Sequence, residues 1–323
     1  MVRLRKPLWR VLALLLAMVM VAAACGDDDD ATEDDAATDD TAEDEAAAEA
    51  PLEGVSLTVG SKEFDEQLIL GHMTRLVLED AGADVDDEIG LIGSDVVREA
   101  FENGDIDIYW EYLGTAWVTY LGNEEAVSAD PQEQVEALRE EDEGFVWLEP
   151  TGFNNTYGVA MTAEQAEEFG ATAVSDIPDI IAENPDATLC GGTEFTTRED
   201  GMLGLQDAYG FEFPNVNEID DALVYDQLAD GSCPFGSIFA TDGRIEALDL
   251  VMLEDDMGFF PPFQAAVTVR EDAYDPAMDD LFNPIAEALD EPTMIELNRR
   301  VSVDEEDPEA VAQDWLQENG FIS

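Results

Sequence analysis

The hydrophobic residues of this chain alternate between short apolar runs and longer stretches with helical spacing. An apolar run at 55–59 precedes a helical pattern at 64–81, which is followed by a glycine. Runs at 85–92 and 106–110 enclose a second helical pattern, for which Ser94 is the expected N-cap. This βαβαβ order predicts a mostly parallel sheet that binds ligands at the C-terminal ends of its strands.

The rest of the chain repeats this alternation. The pattern predicts strands at 156–161, 187–190, 235–239, 248–253 and 265–270. It predicts helices at 163–169, 177–182, 199–209, 276–289, 292–300 and 308–318. The economical arrangement is an α/β fold with two lobes, 51–156 plus 262–323 and 157–261, and a ligand cleft between them.

The first 25 residues have the composition of a secretory signal peptide. Four basic residues accompany an apolar stretch of 14 residues, which is short for a membrane span. The stretch ends Val21-Ala22-Ala23-Ala24-Cys25, which resembles a bacterial lipobox and predicts that Cys25 is lipidated. An ordinary cleaved signal or an uncleaved anchor is the alternative. Residues 26–50 contain 13 Asp or Glu and no basic residue, so this segment is expected to be a disordered acidic tether.

The chain is strongly acidic throughout. Its formal net charge is −65, and residues 1–25 contribute four positive charges and no negative ones, so the remainder carries −65 − 4 = −69. Such a surface repels phosphates, which argues against a nucleic-acid partner. High Asp and Glu content beside a normal apolar fraction indicates a halophilic protein, because strong salt screens the self-repulsion.

Two cysteines remain once Cys25 is assigned to lipid. Cys190 and Cys233 form an even pair in an oxidising compartment, which favours a disulfide. Two buried free thiols are the alternative. A catalytic cysteine is less favoured, because the chain's only histidine is His72, inside a helical pattern.

The candidate chemistry begins with Lys62, the only lysine after the signal segment. It lies in a glycine-containing turn between the first predicted strand and helix, where α/β proteins meet anionic groups. With Thr115 and Arg198 it supplies donors suited to a carboxylate. Four aromatic residues at loop–strand junctions have faces that attract a quaternary ammonium group. They are Tyr112, Tyr157, Phe239 and Phe263. A zwitterion with a methylated ammonium and a carboxylate would satisfy both sets.

Several motifs, in order, resemble those of the glycine-betaine/choline type of substrate-binding protein from osmoprotectant ABC importers. They are Gly60-Ser61-Lys62 with Glu66-Gln67-Leu68-Ile69-Leu70-Gly71, Gly104-Asp105-Ile106-Asp107 with Glu111-Tyr112-Leu113-Gly114-Thr115, and Thr241-Asp242-Gly243-Arg244 with Phe260-Pro261-Pro262. The resemblance covers residues 52–320 and implies a bilobal periplasmic-binding-protein fold of type II that closes on its ligand.

The resemblance also implies residue roles. The four aromatic residues would form a cage for the trimethylammonium group, and two of them, Phe239 and Phe263, depart from the family's usual tyrosine. Lys62, Thr115 and Arg198 would bind the carboxylate. Glu194 would orient Arg198 across one helical turn, and Asn155 would line the cage. The competing interpretations are that such rings belong to the core and that Arg198 forms only a structural ion pair.

These observations predict an extracytoplasmic, membrane-anchored receptor of an ABC importer. It would be a monomer that captures a quaternary-ammonium osmolyte, with glycine betaine favoured over choline, carnitine and proline betaine, and delivers it to an ABC permease. We predict no cofactor, no metal site and no catalysis. The alternatives are a surface solute sensor without a transport role and, less favoured, an extracellular enzyme. The sequence lacks a Gly-x-Ser-x-Gly motif, metal-spaced histidines and a phosphate loop.

Overall fold

The computed structural model describes residues 50–123 and 128–323. The predicted signal peptide, Cys25 and the acidic tether up to residue 49 lie outside the described residues. No helix in the described part of the chain combines the length and apolar character needed to cross a membrane.

Within the described ranges the chain forms ten strands in two five-stranded sheets. The strands are β1 (Ser56–Lys62), β2 (Asp84–Leu91), β3 (Ile108–Tyr112), β4 (Phe145–Pro150), β5 (Tyr157–Thr162), β6 (Thr188–Gly191), β7 (Asn215–Glu218), β8 (Phe235–Phe239), β9 (Leu250–Met252) and β10 (Ala265–Arg270). The first sheet has the order β2-β1-β3-β10-β4 and the second has the order β7-β6-β8-β5-β9. We call the parts of the chain built on these sheets lobe 1 and lobe 2.

Helices cover both sheets. They are α1 (Asp65–Asp80), α2 (Ser94–Asn103), α3 (Leu113–Thr115), α4 (Pro131–Glu141), α5 (Ala163–Phe169), α6 (Ile177–Glu183), α7 (Thr193–Thr197), α8 (Met202–Tyr209), α9 (Asp221–Ala229), α10 (Arg244–Ala247), α11 (Ala277–Ala288), α12 (Glu291–Ser302) and α13 (Pro308–Glu318). A π-helical turn, Ala116–Tyr120, continues α3, and a 3₁₀ turn, Val174–Asp176, precedes α6. Both α12 and α13 pack against α1, so the C-terminal helices belong to lobe 1.

Burial follows the position of each strand in its sheet. β3 and β10 are central in the first sheet and almost wholly buried, as expected for strands covered by helices on both faces. The edge strands β2 and β7 are polar and largely exposed, with the sequences DVDDEIGL and NVNE. Charged residues on an edge discourage pairing with another chain, so the acidic composition protects the edges formed by β2 and β7.

The strand directions partly confirm the sequence prediction. β1 pairs in parallel with β2 and β3, as the βαβαβ order predicts. β10 runs antiparallel to both of its neighbours, because it enters lobe 1 from lobe 2. The chain passes between lobes twice, once between β4 and β5 and once between β9 and β10.

Most predicted elements are present with ends shifted by a few residues. Seven elements lie outside the predicted set: the strands β4 and β7 and the helices α3, α4, α7, α9 and α10. One capping prediction is wrong. Gly93 is the N-cap of α2, and Ser94 is its first helical residue. The Ser94 amide and hydroxyl both donate to Glu194, at 2.6 and 2.9 Å, so a carboxylate from lobe 2 satisfies this helix end.

Cys190 and Cys233 are paired as a disulfide, with Cα atoms 5.9 Å apart and a sequence separation of 43. Both side chains are buried in a small hydrophobic cluster of lobe 2. Titration of residues 51–323 with a thiol reagent in denaturant without reductant should therefore detect no free thiol. The same titration after reduction is the positive control, and two thiols before reduction would contradict the pairing.

Candidate functional site

A small cavity lies between the two lobes, with a volume of about 30 Å³. It is lined by Lys62, Phe64, Tyr112, Thr115, Asn155, Tyr157, Glu194, Phe239 and Phe263. Eight of the nine predicted ligand-binding residues therefore face one space, although they come from segments spread along about two hundred positions. The ninth, Arg198, contacts this group through Glu194 and Thr115 without lining the cavity itself.

The aromatic side chains form a continuous wall across both lobes. The ring centroids of Tyr112 and Phe64 are 6.1 Å apart, and those of Phe64 and Phe239 are 5.4 Å apart with nearly parallel planes. Tyr157 follows, 5.2 Å from Phe239 and 5.6 Å from Phe263, the latter edge to face. Successive ring faces of this kind present negative potential to a bound cation.

The sequence prediction missed Phe64. It precedes α1 directly, and within residues 50–123 and 128–323 it is the only ring in contact with both Tyr112 and Phe239. A signal was present, since Phe64 ends the same Gly-Ser-Lys-Glu-Phe turn that contains Lys62. The four tryptophans in the described ranges, at 110, 117, 147 and 315, are buried and do not line the cavity.

Backbone contacts position Phe263. Its amide donates to Asn154 Oδ1 at 2.8 Å, and its carbonyl accepts from the Asn155 amide at 3.2 Å. A Cβ atom at Gly114 would lie 2.9 Å from the Phe263 ring and from the Pro262 carbonyl oxygen, so only glycine permits this approach. The two crossover segments between the lobes thus hold one ring of the wall against the end of β3.

Lys62 is buried and ion-paired. Its ammonium donates to Glu111 Oε1 at 2.7 Å and stands 5.1 Å from the Tyr112 ring centroid. Glu111 also accepts from the hydroxyls of Tyr109 and Tyr120, at 3.2 and 2.7 Å. An ammonium has three N–H donors, so pairing with Glu111 orients Lys62 and leaves donors for a ligand carboxylate.

Arg198 has a stronger partner than the one predicted for it. Its guanidinium binds the fully buried carboxylate of Asp200 through Nε at 2.7 Å and through Nη2, and binds Glu194 through Nη1 at 2.9 Å. The contact from Nη2 to Thr115 Oγ1 is long, at 3.5 Å. Most of its donors are used within lobe 2, so Arg198 acts at the cavity chiefly by supporting Glu194 and Thr115.

Glu194 joins the lobes at the cavity. It accepts from the Ser94 amide and hydroxyl of lobe 1 and from Arg198 of lobe 2. Burial alone would raise the pKa of Glu194, but Lys62, Arg198 and the Ser94 hydrogen bonds outweigh it and hold this pKa below its ordinary value. Glu194 is therefore ionised wherever the lobes are in contact near neutral pH.

Glu66 is a second highly connected polar group at the site, and the sequence pattern gave it no role beyond a place in a motif. Its carboxylate is buried in the first turn of α1 and accepts four hydrogen bonds. The donors are Tyr112 Oη at 2.7 Å, Asn155 Nδ2 at 2.8 Å, Thr241 Oγ1 at 2.6 Å and Asn298 Nδ2 at 2.9 Å. Burial raises the pKa of Glu66, and the four hydrogen bonds oppose that rise. Because Thr241 belongs to lobe 2, Glu66 ties the Tyr112 hydroxyl to the contact between lobes.

Asp221 lies beside the site among other carboxylates, and replacing it tests how their mutual repulsion affects stability. Burial, with Glu194, Asp220 and Glu63 nearby, raises its pKa from 3.8 to about 7. A carboxyl group whose pKa is higher in the folded chain than in the unfolded chain makes its full contribution to stability at pH values below its unfolded-state pKa. This contribution is lost as the pH rises through its folded-state pKa. Asp221→Asn should therefore raise the free energy of unfolding by about 1 kcal/mol at about pH 8 and by less at about pH 5, after discounting for partial exposure.

Urea unfolding at the two pH values in constant salt measures this effect. Asp226→Asn removes the same charge from the exposed side of α9 and is the matched control. Equal effects of the two substitutions at both pH values would contradict the assignment.

Two α/β lobes, two chain crossings between them and an aromatic cavity at their contact define a bilobal substrate-binding protein of the periplasmic-binding type. Residues 55–318 match the family described as the substrate-binding domain of the ABC-type glycine betaine transport system. The chain belongs to this family, whose members are substrate-binding proteins of ABC importers and not enzymes.

Relatives and solved structures agree with this membership. The chain is 38% identical over 278 residues to the glycine-betaine-binding protein of Pseudomonas aeruginosa, covering 83% of this chain and 89% of that one. It is 30% identical over 289 residues to the glycine betaine-binding protein YehZ of Escherichia coli, covering 85% and 95%. A solved structure described as a glycine betaine/carnitine/choline ABC transporter superposes with a TM-score of 0.66 at 27% identity, covering 83% and 99%.

Family membership shows where the protein acts and what role it has in transport. Substrate-binding proteins of ABC importers act outside the cytoplasm and deliver a small ligand to a membrane permease. The predicted fold class and transport role are therefore confirmed at this level.

Proposed function

We propose that this protein captures a quaternary-ammonium osmolyte in the cavity between its lobes, with glycine betaine as the favoured ligand. The observation that carries the proposal is the wall of five rings, Tyr112, Phe64, Phe239, Tyr157 and Phe263, beside a buried lysine. A trimethylammonium group cannot donate hydrogen bonds and is weakly hydrated, so aromatic faces can replace its water at little cost. The named binding partners of the relatives support the same class of ligand.

In this proposal the ligand carboxylate is bound by Lys62 and Thr115, which both line the cavity. Arg198 and Glu194 support that end of the site from lobe 2, and Asn155 lies beside the Tyr112 hydroxyl, at 3.4 Å. The lobes would consist of residues 51–156 plus 262–323 and residues 157–261. They would separate to admit the ligand and close on it. The hydrogen bonds that Thr241 donates to Glu66 and that Ser94 donates to Glu194 would form on closure.

The cellular setting is part of the proposal. Lipidation of Cys25, followed by an acidic tether to about residue 50, would hold a monomeric receptor near its permease. The net charge of −65 supports work in strong salt, where repulsion between carboxylates is screened. Lowering the salt concentration would then destabilise the fold.

Calorimetric titration in high salt tests the function. We expect saturable binding of glycine betaine with micromolar affinity, about −8 kcal/mol, and weaker or no binding of proline, which lacks the methylated nitrogen. Choline has the same methylated nitrogen but no carboxylate, so comparing it with glycine betaine measures the contribution of the carboxylate. Lys62→Met should weaken the binding of glycine betaine more than the binding of choline. Binding of none of the methylated ligands would refute the cage.

A further inference from the structure

A second, larger cavity of about 170 Å³ lies next to the aromatic cavity. The two cavities share Phe64, Asn155 and Phe239 in their linings, so the stacked Phe64–Phe239 pair separates them. We call the larger one the outer cavity. It contains residues of both lobes and therefore lies along the contact between them.

Carboxylates and aromatic side chains make up most of the lining of the outer cavity. Six carboxylates line it: Glu63, Asp65, Glu66, Asp220, Asp221 and Asp242. Among the described residues of the lining, Arg244 is the only cationic one. Its guanidinium is already paired with Asp242 at 2.6 Å and stacked over Tyr225 at 4.1 Å. The lining therefore carries more negative than positive charge.

Two buried amides in the lining point to a cation independently of these carboxylates. Asn155 and Asn298 are each 4% exposed, and each donates its Nδ2 to Glu66. Since a carboxylate only accepts, these contacts fix the amide orientation, and both Oδ1 atoms lack a donor among the described residues. A buried carbonyl oxygen without a donor is stabilised by a nearby positive charge.

The chemistry of the lining selects an organic cation. The described ranges contain no group of three or more His, Cys, Asp or Glu side chains arranged to hold a metal ion. The aromatic part of the lining, Phe64, Tyr225 and Phe239, instead suits a methylated ammonium. The volume is small beside ordinary ligand pockets, so it fits a compact head group.

We propose that the outer cavity is a second binding site for the trimethylammonium group, occupied before the group passes the Phe64–Phe239 pair into the aromatic cavity. This inference rests on the proposed function, because it assumes that the ligand has a quaternary nitrogen. It predicts a ligand preference in the first step. The carboxylates of the outer cavity should increase the affinity for a cation such as choline most, increase it less for a zwitterion, and leave it unchanged for a neutral isostere.

Stopped-flow tryptophan fluorescence tests this proposal with choline and its uncharged isostere 3,3-dimethylbutan-1-ol, at one salt concentration that keeps every variant folded. An outer site in rapid equilibrium makes the observed rate for choline saturate with concentration. Asp220→Asn with Asp221→Asn should raise the half-saturating choline concentration about fivefold and leave the isostere unchanged. Asparagine retains N-cap function at 220, where the side chain accepts from the Ala222 amide.

The matched control is Asp226→Asn with Asp230→Asn, on and just after the same helix and away from both cavities. Asp230 also accepts a backbone amide, from Ser232, so the two pairs differ mainly in location. A linear rate up to the highest choline concentration, or equal shifts in the two double variants, would overturn the outer site. Absence of choline and glycine betaine binding to the unmodified protein would instead refute the proposed function.

Discussion

Replacing Glu66 by leucine should lower the free energy of unfolding by about 4 kcal/mol. The leucine would leave the donors of Tyr112, Asn155, Thr241 and Asn298 without their shared acceptor in a buried position. Each buried donor that loses its partner costs about 1–3 kcal/mol, and Asn298 retains a second bond to the Thr241 carbonyl. Urea unfolding in constant high salt measures the change.

Two further variants serve as comparisons for Glu66→Leu. Glu66→Gln keeps the shape and one acceptor oxygen, so it should cost about half as much. Glu79→Leu removes a carboxylate from the exposed part of the same helix, where a surface ion pair with Arg75 contributes less than about 1 kcal/mol. A cost for Glu66→Leu no larger than that for Glu79→Leu would show that the buried network does not stabilise the fold.

Replacing Tyr112 by alanine should weaken glycine betaine binding at least 100-fold, or about 2.7 kcal/mol. The substitution removes one end of the aromatic wall and the side chain over which the Lys62 ammonium lies. It also removes the hydroxyl that binds Glu66, so the remaining rings lose a fixed neighbour. Calorimetric titration under the conditions used for the unmodified protein measures the loss.

Tyr112→Phe separates the ring from its hydroxyl and should retain most of the affinity, because the π-face remains. Tyr274→Ala controls for the loss of an aromatic residue elsewhere, since Tyr274 lies in lobe 1 away from the cavity and bonds Asp279. Unchanged affinity in Tyr112→Ala would mean that this ring belongs to the core alone.

The parallel part of the fold could be predicted because its signals are local. The first three strands and two helices follow each other with clear apolar spacing, and their order fixes their pairing. β7 could not be found in this way, since all four of its residues are exposed and none belongs to an apolar run. β4 has an apolar composition, but its partner β10 lies more than one hundred residues away in the chain.

Four of the five rings of the site were predictable, whereas Phe64 and the polar partners were not. Tyr112, Tyr157, Phe239 and Phe263 lie at loop–strand junctions, and the ordered motifs of the chain resemble those of a known family, so these rings could be singled out. The chain has 78 acidic residues, so nothing in the sequence indicates that Lys62 pairs with Glu111 or that Arg198 pairs with Asp200. These choices depend on burial, which only the folded arrangement supplies.

The single lysine has a practical consequence. Residues 51–323 contain one primary amine on a side chain, that of Lys62, and this lysine is 3% exposed beside the ligand cavity. An acylating label directed at amines would thus find its target only when the lobes move apart, and bound ligand would slow the reaction. Acylation located at Lys62 by peptide mass mapping would then report how often the proposed opening occurs, without any engineered probe.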